Sequence, residues 1–281
     1  MAARFGDREY LFPVDVVNPD YGKPLTDPAC AALRAKFPKA KLASLRRVGV
    51  PAEMSKAFPD EPLVPAQVSD NWFETSTPHH SGKEWNHGTD LWLSVGQDGR
   101  YSSPLLSVLK FDLSGLPKGA KLLGAQIRLT AFPGDFVGTK AGDKLEAYAL
   151  RQEWYETPQA DGAFSCHLGP RYIPNNPKSV KWAKEGADDL QADRFPDPAG
   201  TVDPGVFPGN DKYRLMALDI TETAKKWHSG EMPNHGVLLK LNSKLIFASS
   251  EFQDYVFRPT LVLAYEGTDI SPMLTPPSAK K

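Results

Sequence analysis

The chain has 281 residues, and its 33 lysines and arginines against 34 aspartates and glutamates give a net charge of −1. This length suits one large domain or one domain with a long extension, and a charge so close to zero provides no field that would attract nucleic acid. The sequence contains no run of about 18 apolar residues, so we expect no membrane insertion.

Residues 1–66 differ from the rest of the chain because they are rich in proline. Asp27 and Pro28 predict the start of a short helix, with Asp27 as its cap, and Pro38 predicts its end. We interpret residues 1–66 as a proline-rich arm that lies on a partner surface or on the domain behind it. The alternative is a mobile linker. The N-terminus lacks the apolar segment of a signal peptide, so we expect an exported chain to be in its mature form.

Two cysteines, Cys30 and Cys166, lie far apart in the sequence. They are compatible with a disulfide in an oxidising compartment and equally with two thiols. Neither belongs to a Cys-x-x-Cys pair, which argues against a zinc ribbon or a thioredoxin-like redox site.

Residues 67–267 contain one predicted strand after another, with apolar side chains at every second position. The clearest pair runs through Leu109 and Phe111 and then through Ala125 and Ile127, with glycine and proline in the turn between them. The same spacing recurs at Leu91, Leu93 and Val95; Leu145, Ala147 and Ala149; Met216, Leu218 and Ile220; Val237, Leu239 and Leu241; and Leu261, Leu263 and Tyr265. This pattern predicts an all-β fold, an antiparallel and jelly-roll-like β-sandwich.

Two segments interrupt the strand pattern, and a third follows it. Residues 155–212 are crowded with proline, glycine, asparagine and aspartate, which predicts a long loop insertion of the kind that often carries contacts or function. Residues 221–228 predict a short helix that ends before Gly230. Residues 268–281 predict an extended tail.

Nine short motifs of residues 67–267 follow one another in the order of a known family. They are Asn86-His-Gly88 with Leu93-Ser-Val-Gly96, Leu109-Lys-Phe-Asp-Leu-Ser-Gly-Leu-Pro117, Gly124-Ala-Gln-Ile-Arg-Leu129, Glu153-Trp-Tyr-Glu156, Trp182-Ala-Lys-Glu-Gly186, Leu218-Asp-Ile-Thr221 with Lys226-Trp-His-Ser-Gly230, Asn234-His-Gly-Val-Leu-Leu239, Phe247-Ala-Ser-Ser-Glu251, and Arg258-Pro-Thr-Leu-Val-Leu263. With these motifs the chain resembles the DNRLRE-type domain, a β-sandwich family related to carbohydrate-binding modules of secreted bacterial and archaeal proteins.

The resemblance implies a non-catalytic module that is associated with polysaccharides and is secreted or held at the cell surface. It also implies that Trp154, Trp182 and Trp227, which occupy motif positions, anchor the core or its loops. The chain departs from the family pattern at Ser250, where the family usually has arginine. Thr157 follows the Glu153 motif where a family tryptophan is expected nearby, so we expect a remodelled insertion.

Sugar binding by a sandwich requires an aromatic side chain for the apolar face of the ring and polar neighbours for its hydroxyl groups. Trp92 is the first candidate, because Leu91 and Leu93 take the inner face and leave Trp92 pointing outward. It acts either as a stacking platform or as a surface that the arm covers. The candidate ligand-binding residues are Trp92, Trp85, Tyr101, Asp90 and His87.

Four polar residues lie among predicted buried strands: Asp112, Asp219, Glu251 and Arg258. A buried carboxylate needs a partner, so we expect these residues to form an internal network around Arg258. Such a network would set strand register and perform no chemistry.

Asp188, Asp189 and Asp193 form an acidic patch in the insertion. Loop carboxylates and carbonyls are ligands that calcium prefers, so these residues are a candidate structural calcium site. Their spacing lacks the EF-hand pattern, and a solvated acidic loop is the alternative.

Enzyme signatures such as a P-loop, a nucleophile elbow or a His-Glu-x-x-His zinc motif do not occur in the sequence. Glu153 and Glu156 could form a carboxylate pair, but their position matches a structural motif of the family. The sequence therefore predicts a non-catalytic extracellular module that binds a polysaccharide or another glycan. The alternative is a structural subunit of a cell-surface layer, filament or complex, in which residues 1–66 pack on a neighbouring subunit.

Overall fold

The structure is a computed structural model that describes residues 2–5, 8–11, 27–47, 63–75, 81–97, 101, 103–114, 116, 119–132, 137–208, 213–254 and 256–267. The first half of the chain forms β1 Ala2–Phe5, β2 Arg8–Leu11, α1 Pro28–Lys36, β3 Lys41–Arg46, β4 Leu63–Pro65, β5 Val68–Phe73, β6 Trp92–Val95, β7 Leu106–Phe111, β8 Lys121–Phe132 and β9 Gly138–Thr139. The second half forms β10 Leu145–Ala149, β11 Phe164–Cys166, β12 Gly169–Tyr172, β13 Gly200–Val202, β14 Phe207–Pro208, β15 Arg214–Asp219, α2 Thr221–Ser229, β16 Val237–Lys240, β17 Leu245–Ala248 and β18 Thr260–Glu266. The predicted tail, residues 268–281, lies outside the described residues.

Two antiparallel sheets pack face to face in a β-sandwich. One sheet has five strands in the order β13-β10-β16-β7-β5. The larger sheet has the order β4-β3-β18-β8-β17-β6. Its seventh strand, β15, lies outside this order and also pairs with the long strand β8. Only the pairing of β3 with β4 is parallel among the described strand pairs. The all-β antiparallel sandwich predicted from the period-2 pattern is confirmed.

The core lies between the two sheets, at the positions that the alternating pattern turns inward. Leu109 and Phe111 of β7 and Ile127 and Leu129 of β8 are each 1% exposed. Burying an apolar side chain of this size stabilises the fold by roughly 1.5–3 kcal/mol. The alternation therefore determines which face of each strand packs against the opposite sheet.

Residues 27–46 of the predicted proline-rich arm lie on the domain behind it, one of the two placements expected for the arm, and are part of the sandwich. β3 pairs with β18 so that Leu45 lies opposite Leu261. Helix α1 covers the outer face of β8 closely, because a Cβ atom at Gly124 would lie 2.7 Å from the side chain of Leu33. The apolar side chains of β3 and α1 expose less surface to water when they are packed on the sandwich than they would in an unpacked arm.

Both predicted helices are confirmed. The carboxylate of Asp27 caps α1 by accepting a hydrogen bond of 2.8 Å from the backbone N–H of Ala29, and Pro28 occupies the first turn. Helix α2 ends at Gly230, whose φ of 76° lies in the left-handed region that glycine adopts without strain. Neither helix of the described residues is long and apolar enough to cross a lipid bilayer.

The insertion forms a packed layer on the outer face of the five-stranded sheet. Trp154 and Trp182 are buried there together with Phe73 of β5. Their indole N–H groups donate hydrogen bonds to the backbone carbonyls of His235 and Cys166. The two tryptophans are buried packing anchors, as the resemblance implies, and the expected loop contains four short strands, β11 to β14.

No disulfide joins Cys30 and Cys166. Cys30 is buried in α1, outside the larger sheet, whereas Cys166 is buried in β11, outside the five-stranded sheet. The whole thickness of the sandwich separates the two sulfur atoms. Burial raises the pKa of the Cys166 thiol to about 11, so this thiol is unreactive at neutral pH.

Candidate functional site

Three of the five predicted ligand-binding residues lie together on residues 81–91, hereafter the platform loop, which leads into β6. They are Trp85, His87 and Asp90. The side chain of Trp85 is 49% exposed, and its ring centroid lies 6.4 Å from that of His87. The backbone N–H of Trp85 donates a hydrogen bond of 3.0 Å to the carbonyl of Gly82, which closes a turn and presents the indole at the surface.

The other two predicted ligand-binding residues lie elsewhere. Trp92 points outward from β6 as predicted, but its ring packs 4.7 Å from that of Phe252 and 5.1 Å from that of Phe132. Phe252 belongs to the segment after β17, so the cover over Trp92 comes from the sandwich domain. Tyr101 follows β6 in the chain, and its backbone carbonyl accepts a hydrogen bond of 3.1 Å from the side-chain amide of Gln97.

The imidazole of His87 is held by two carboxylates and one indole. Its Nδ1 lies 2.8 Å from Asp90 Oδ2, and its Nε2 lies 3.2 Å from Glu74 Oε2. The ring stacks on Trp72 with centroids 3.8 Å apart, and the indole N–H of Trp72 donates to the same Asp90 oxygen. Burial alone lowers the pKa of His87, but the hydrogen bonds to Asp90 and Glu74 outweigh burial and raise it.

The platform loop is also fastened to the insertion. The amide nitrogen of the Asn86 side chain donates to the carbonyls of Glu156, at 2.7 Å, and Ser165, at 3.1 Å. Gly88 approaches the same backbone, since a Cβ atom at this position would lie 2.0 Å from the Glu156 carbonyl oxygen. Only glycine permits this approach, so the loop has one well-defined position against the sandwich.

Beside this loop, Asp70, Glu156 and Glu251 form a carboxylate cluster. Asp70 comes from β5, Glu156 from the insertion and Glu251 from the segment after β17, and one oxygen of each lies within 4.8 Å of the others. The backbone N–H of Ser250 donates to Asp70 Oδ2 at 2.7 Å, and the N–H of Asp70 donates to Glu156 Oε1 at 2.9 Å. Arg47 forms an ion pair with Glu251 and lies 3.9 Å from Glu156.

The carboxylate cluster is electrostatically unbalanced. Burial and then the nearby charge of Glu251 raise the pKa of Asp70 well above its ordinary value. Burial raises the pKa of Glu156 to about 7 and also raises the pKa of Glu251, despite the guanidinium of Arg47. Three acidic groups therefore share a space in which the nearby guanidinium groups of Arg47 and Arg258 do not compensate for lost hydration.

The predicted network of Asp112, Asp219, Glu251 and Arg258 is not assembled in the structure. Asp112 accepts hydrogen bonds from Ser114 in an exposed turn, and Asp219 accepts one from the N–H of Thr221 at the start of α2. The guanidinium of Arg258 donates to the carbonyls of Phe252 and Arg47, beside the carboxylate cluster. Glu251 alone of the three predicted acids lies near Arg258, because the other two end strands at distant turns.

The candidate calcium residues of the insertion are already occupied by protein donors. Asp188 pairs with Arg194, Lys240 and Lys184, whose hydrogen bonds outweigh burial and lower its pKa. Asp189 accepts the backbone N–H groups of residues 191 and 192. Asp193 is fully buried and accepts hydrogen bonds from Gln152, Ala183, Lys184 and Asp189. These carboxylates hold the insertion in shape and leave no open set of oxygens for calcium.

A depression of about 400 Å³ lies away from the platform loop, between β7 and α2. Several of its lining side chains already have partners within the chain. Asp112 accepts hydrogen bonds from Ser114, the amide of Asn234 donates to the Phe111 carbonyl, and His228 Nε2 lies 2.9 Å from the Ala120 carbonyl. We therefore place the candidate site at the platform loop and the carboxylate cluster.

Comparison with protein-family models and with curated protein sequences gives no match for this chain. The resemblance to the DNRLRE-type domain thus remains a prediction from short motifs.

Sequence reasoning missed Trp72, Glu74, Asp70 and Arg47. A signal for two of them was present, because Val68, Asp70 and Trp72 alternate along one strand and share its inward face. A charged residue at an inward position indicates either a buried pair or a site. Glu156 was considered as an acid, but its partners come from segments far away in the sequence.

Proposed function

We propose that this chain is a non-catalytic β-sandwich module that binds a glycan at the platform loop, with Trp85 as the stacking surface. The observation that carries the proposal is the half-exposed indole of Trp85 beside the polar side chains of His87 and Asp90. The flat apolar face of an indole suits the C–H face of a sugar ring, and a carboxylate accepts hydrogen bonds from its hydroxyl groups.

Rigidity of the platform loop supports this proposal. His87 is stacked on Trp72, and Asn86 is hydrogen-bonded to two carbonyls of the insertion. A loop that is already ordered loses little conformational entropy when a ligand binds, so more of the contact energy appears as affinity.

The charge around Trp85 favours a neutral glycan over a polyuronate. Asp70, Glu156 and Glu251 lie next to the platform loop, and their three carboxyl groups outnumber the two nearby guanidinium groups, those of Arg47 and Arg258. A uronate carboxylate placed beside these acids would be repelled, whereas hydroxyl groups could donate to them. A neutral polysaccharide outside the cell or at its surface is the ligand class we propose.

The carboxylate cluster does not have the arrangement of a glycosidase. Glycosidases place two carboxylates about 5–10 Å apart, on opposite sides of a sugar carbon. Here one oxygen from each of three acids converges within 4.8 Å, and Asp70 is 1% exposed. Asp70 is therefore closed to a sugar ring, and Glu156 and Glu251 share the guanidinium of Arg47, which supports the assignment as non-catalytic.

A glycan array tests this function. Wild-type protein should bind one class of neutral glycan, and Trp85→Ala should weaken that binding at least tenfold. The matched control is Leu190→Ala, which removes another exposed apolar side chain, 42% exposed, from the insertion. Equal binding by all three proteins, or new reducing ends in the glycan, would contradict the proposal.

The alternative, an assembly subunit, now depends on residues 1–26, because α1, β3 and β4 belong to the sandwich. A variant that lacks residues 1–26 distinguishes the two. On the glycan-binding proposal it keeps its apparent mass in size-exclusion chromatography and its glycan affinity. On the assembly alternative it dissociates from a larger species to a monomer.

A further inference from the structure

The carboxylate cluster has the geometry of a site for a single ion. One oxygen each from Asp70, Glu156 and Glu251 lies within 4.8 Å of the other two. Calcium binds oxygen ligands at about 2.3–2.6 Å, so two oxygens on one ion lie at most about 5.2 Å apart. Three oxygens spread evenly around one calcium ion lie about 4.5 Å apart, so an ion placed among these three reaches all of them with side-chain shifts of roughly 0.2 Å at most and with the backbone where it is.

A second observation, independent of the spacing, concerns the buried carboxylate. Asp70 is 1% exposed, and its Oδ2 accepts the N–H of Ser250. Its Oδ1 is buried as well, yet no described residue donates a hydrogen bond to it. A buried carboxylate oxygen without a donor is costly, and a bound cation is one of the few partners that removes the cost.

We propose that Asp70, Glu156 and Glu251 bind a divalent cation, and that calcium fits the site best. Its donors are carboxylate oxygens, which suit calcium, magnesium and manganese better than zinc. Magnesium dehydrates reluctantly and is usually held by one or two carboxylates with several waters, so a set of three protein carboxylates suits calcium better.

Charge supports the same assignment. Arg47 pairs with Glu251 and lies 3.9 Å from Glu156, and the Arg258 guanidinium also acts on Glu251, so two positive charges face three carboxylates. The side chain of Arg47 is 44% exposed and can move towards solvent when an ion enters. A divalent cation would then compensate these buried and half-buried carboxylates for the hydration that they lose.

The cation would join three segments that are distant in the sequence. It would tie β5, the insertion and the segment after β17 at the point where Asn86 fastens the platform loop to Glu156. Calcium should therefore stabilise the fold even when no glycan is present. This inference does not depend on the proposed glycan binding.

The experiment uses the full chain after treatment with a chelator, without glycan. Calcium is titrated by calorimetry, and terbium(III) is titrated while tryptophan is excited. Trp72 lies two residues from Asp70 on the same face of β5, roughly 7 Å along the strand, which is close enough to sensitise terbium emission. Calcium should displace terbium, and magnesium should do so at a concentration at least tenfold higher.

Two variants and one control assign the ligands. Asp70→Asn and Glu251→Gln should each weaken calcium binding at least tenfold and abolish the calcium-dependent rise in the thermal midpoint. Glu222→Gln, which changes an exposed acid on α2, should bind calcium as the wild type does. Far-UV circular dichroism verifies that the variants are folded, and the terbium titration of the wild type tests the site even if they are not.

The absence of both a calcium heat and terbium emission in the wild type would overturn the inference. Equal calcium affinity in the wild type, Asp70→Asn and Glu251→Gln would overturn it too, because the ion would then bind elsewhere. A glycan array that fails while calcium still binds leaves the metal site standing, so the two proposals fail separately.

Discussion

The indole of Trp72 stacks on the imidazole of His87 with the ring centroids 3.8 Å apart and the planes inclined by 21°. This contact joins β5, whose inward face belongs to the core, to the platform loop, which presents Trp85 to solvent. Asp90 completes the arrangement by accepting hydrogen bonds from both rings. The position of the exposed indole is thus set by a contact between two half-buried rings beneath it.

The first prediction concerns this contact. His87→Ala removes the stacked ring and leaves Asp90 and Glu74 without a shared partner, so we expect the free energy of unfolding to fall by about 1–3 kcal/mol. Glycan affinity should fall with it, because the platform loop loses its fixed position. Urea denaturation and the glycan array measure the two effects. Unchanged affinity would show that the loop is ordered without His87.

A substitution at Trp92 distinguishes a packing role of this side chain from a role in glycan binding. Its ring lies between Phe132 and Phe252, so Trp92→Ala should lower the free energy of unfolding by about 2–3 kcal/mol through lost packing. Glycan affinity of the folded variant should stay within twofold of the wild type. A selective loss of affinity with normal stability would instead make Trp92 the stacking platform.

Asp27 tests whether the N-terminal segment belongs to the sandwich. Its carboxylate caps α1 and pairs with Arg128, a fully buried side chain that also donates to Thr260. Asp27→Ala removes the carboxylate that pairs with this buried guanidinium, which should reduce the free energy of unfolding by about 3–5 kcal/mol. Asp203→Ala, which removes an exposed carboxylate from a turn, is the control. Equal stability of the two variants would favour a separate arm.

His167 predicts a dependence of stability on pH. Burial lowers its pKa to about 4, although Glu185 opposes this effect, and Lys83 adds to it. In the unfolded chain the pKa is about 6.5, so the unfolded state binds more protons between pH 6.5 and pH 4, and stability falls as the pH falls through this range. The contribution is complete above pH 6.5 and amounts to up to about 3 kcal/mol.

The pKa of Glu156 in the carboxylate cluster is raised, so its protonation stabilises the fold as the pH falls and opposes the effect of His167. The effect of His167 must therefore be measured as the difference in stability between the wild type and a His167 variant. The free energy of unfolding of the wild type minus that of His167→Gln should decrease as the pH is lowered from 7 to 4. A difference that does not vary with pH would show that His167 titrates normally in the folded protein.

Arg47 and the cation compete for the same carboxylates. Arg47→Gln removes the ion pair with Glu251 and the positive charge near Glu156, so calcium affinity should increase, by about threefold or more. Calorimetry on the chelator-treated variant measures the change. Weaker calcium binding in Arg47→Gln would mean that the guanidinium helps to order the site.

Local signals were sufficient for both helices and for the strands with clear alternation, such as β7 and β8, but not for β3 and β4 or for the short strands of the insertion. Side chains at every second position of β7 and β8 turn inward because burial of apolar surface favours one face, and this holds whatever else surrounds the strand. Helix ends are marked in the same local way. Asp27 accepts hydrogen bonds from backbone N–H groups at the start of α1, and Gly230 adopts the left-handed conformation that ends α2. These interactions join residues that are close in the sequence, so they can be predicted from the sequence pattern.

The candidate site depends on contacts between residues far apart in the sequence, which a local sequence pattern cannot predict. Asp70, Glu156 and Glu251 come from three segments, and their meeting is set by how the insertion and the segment after β17 pack on β5. In the same way, alternation tells that Trp92 points outward, but Phe252, far away in the sequence, covers it. A side chain's direction follows from its own strand, whereas its neighbours follow from the packing of the whole sandwich.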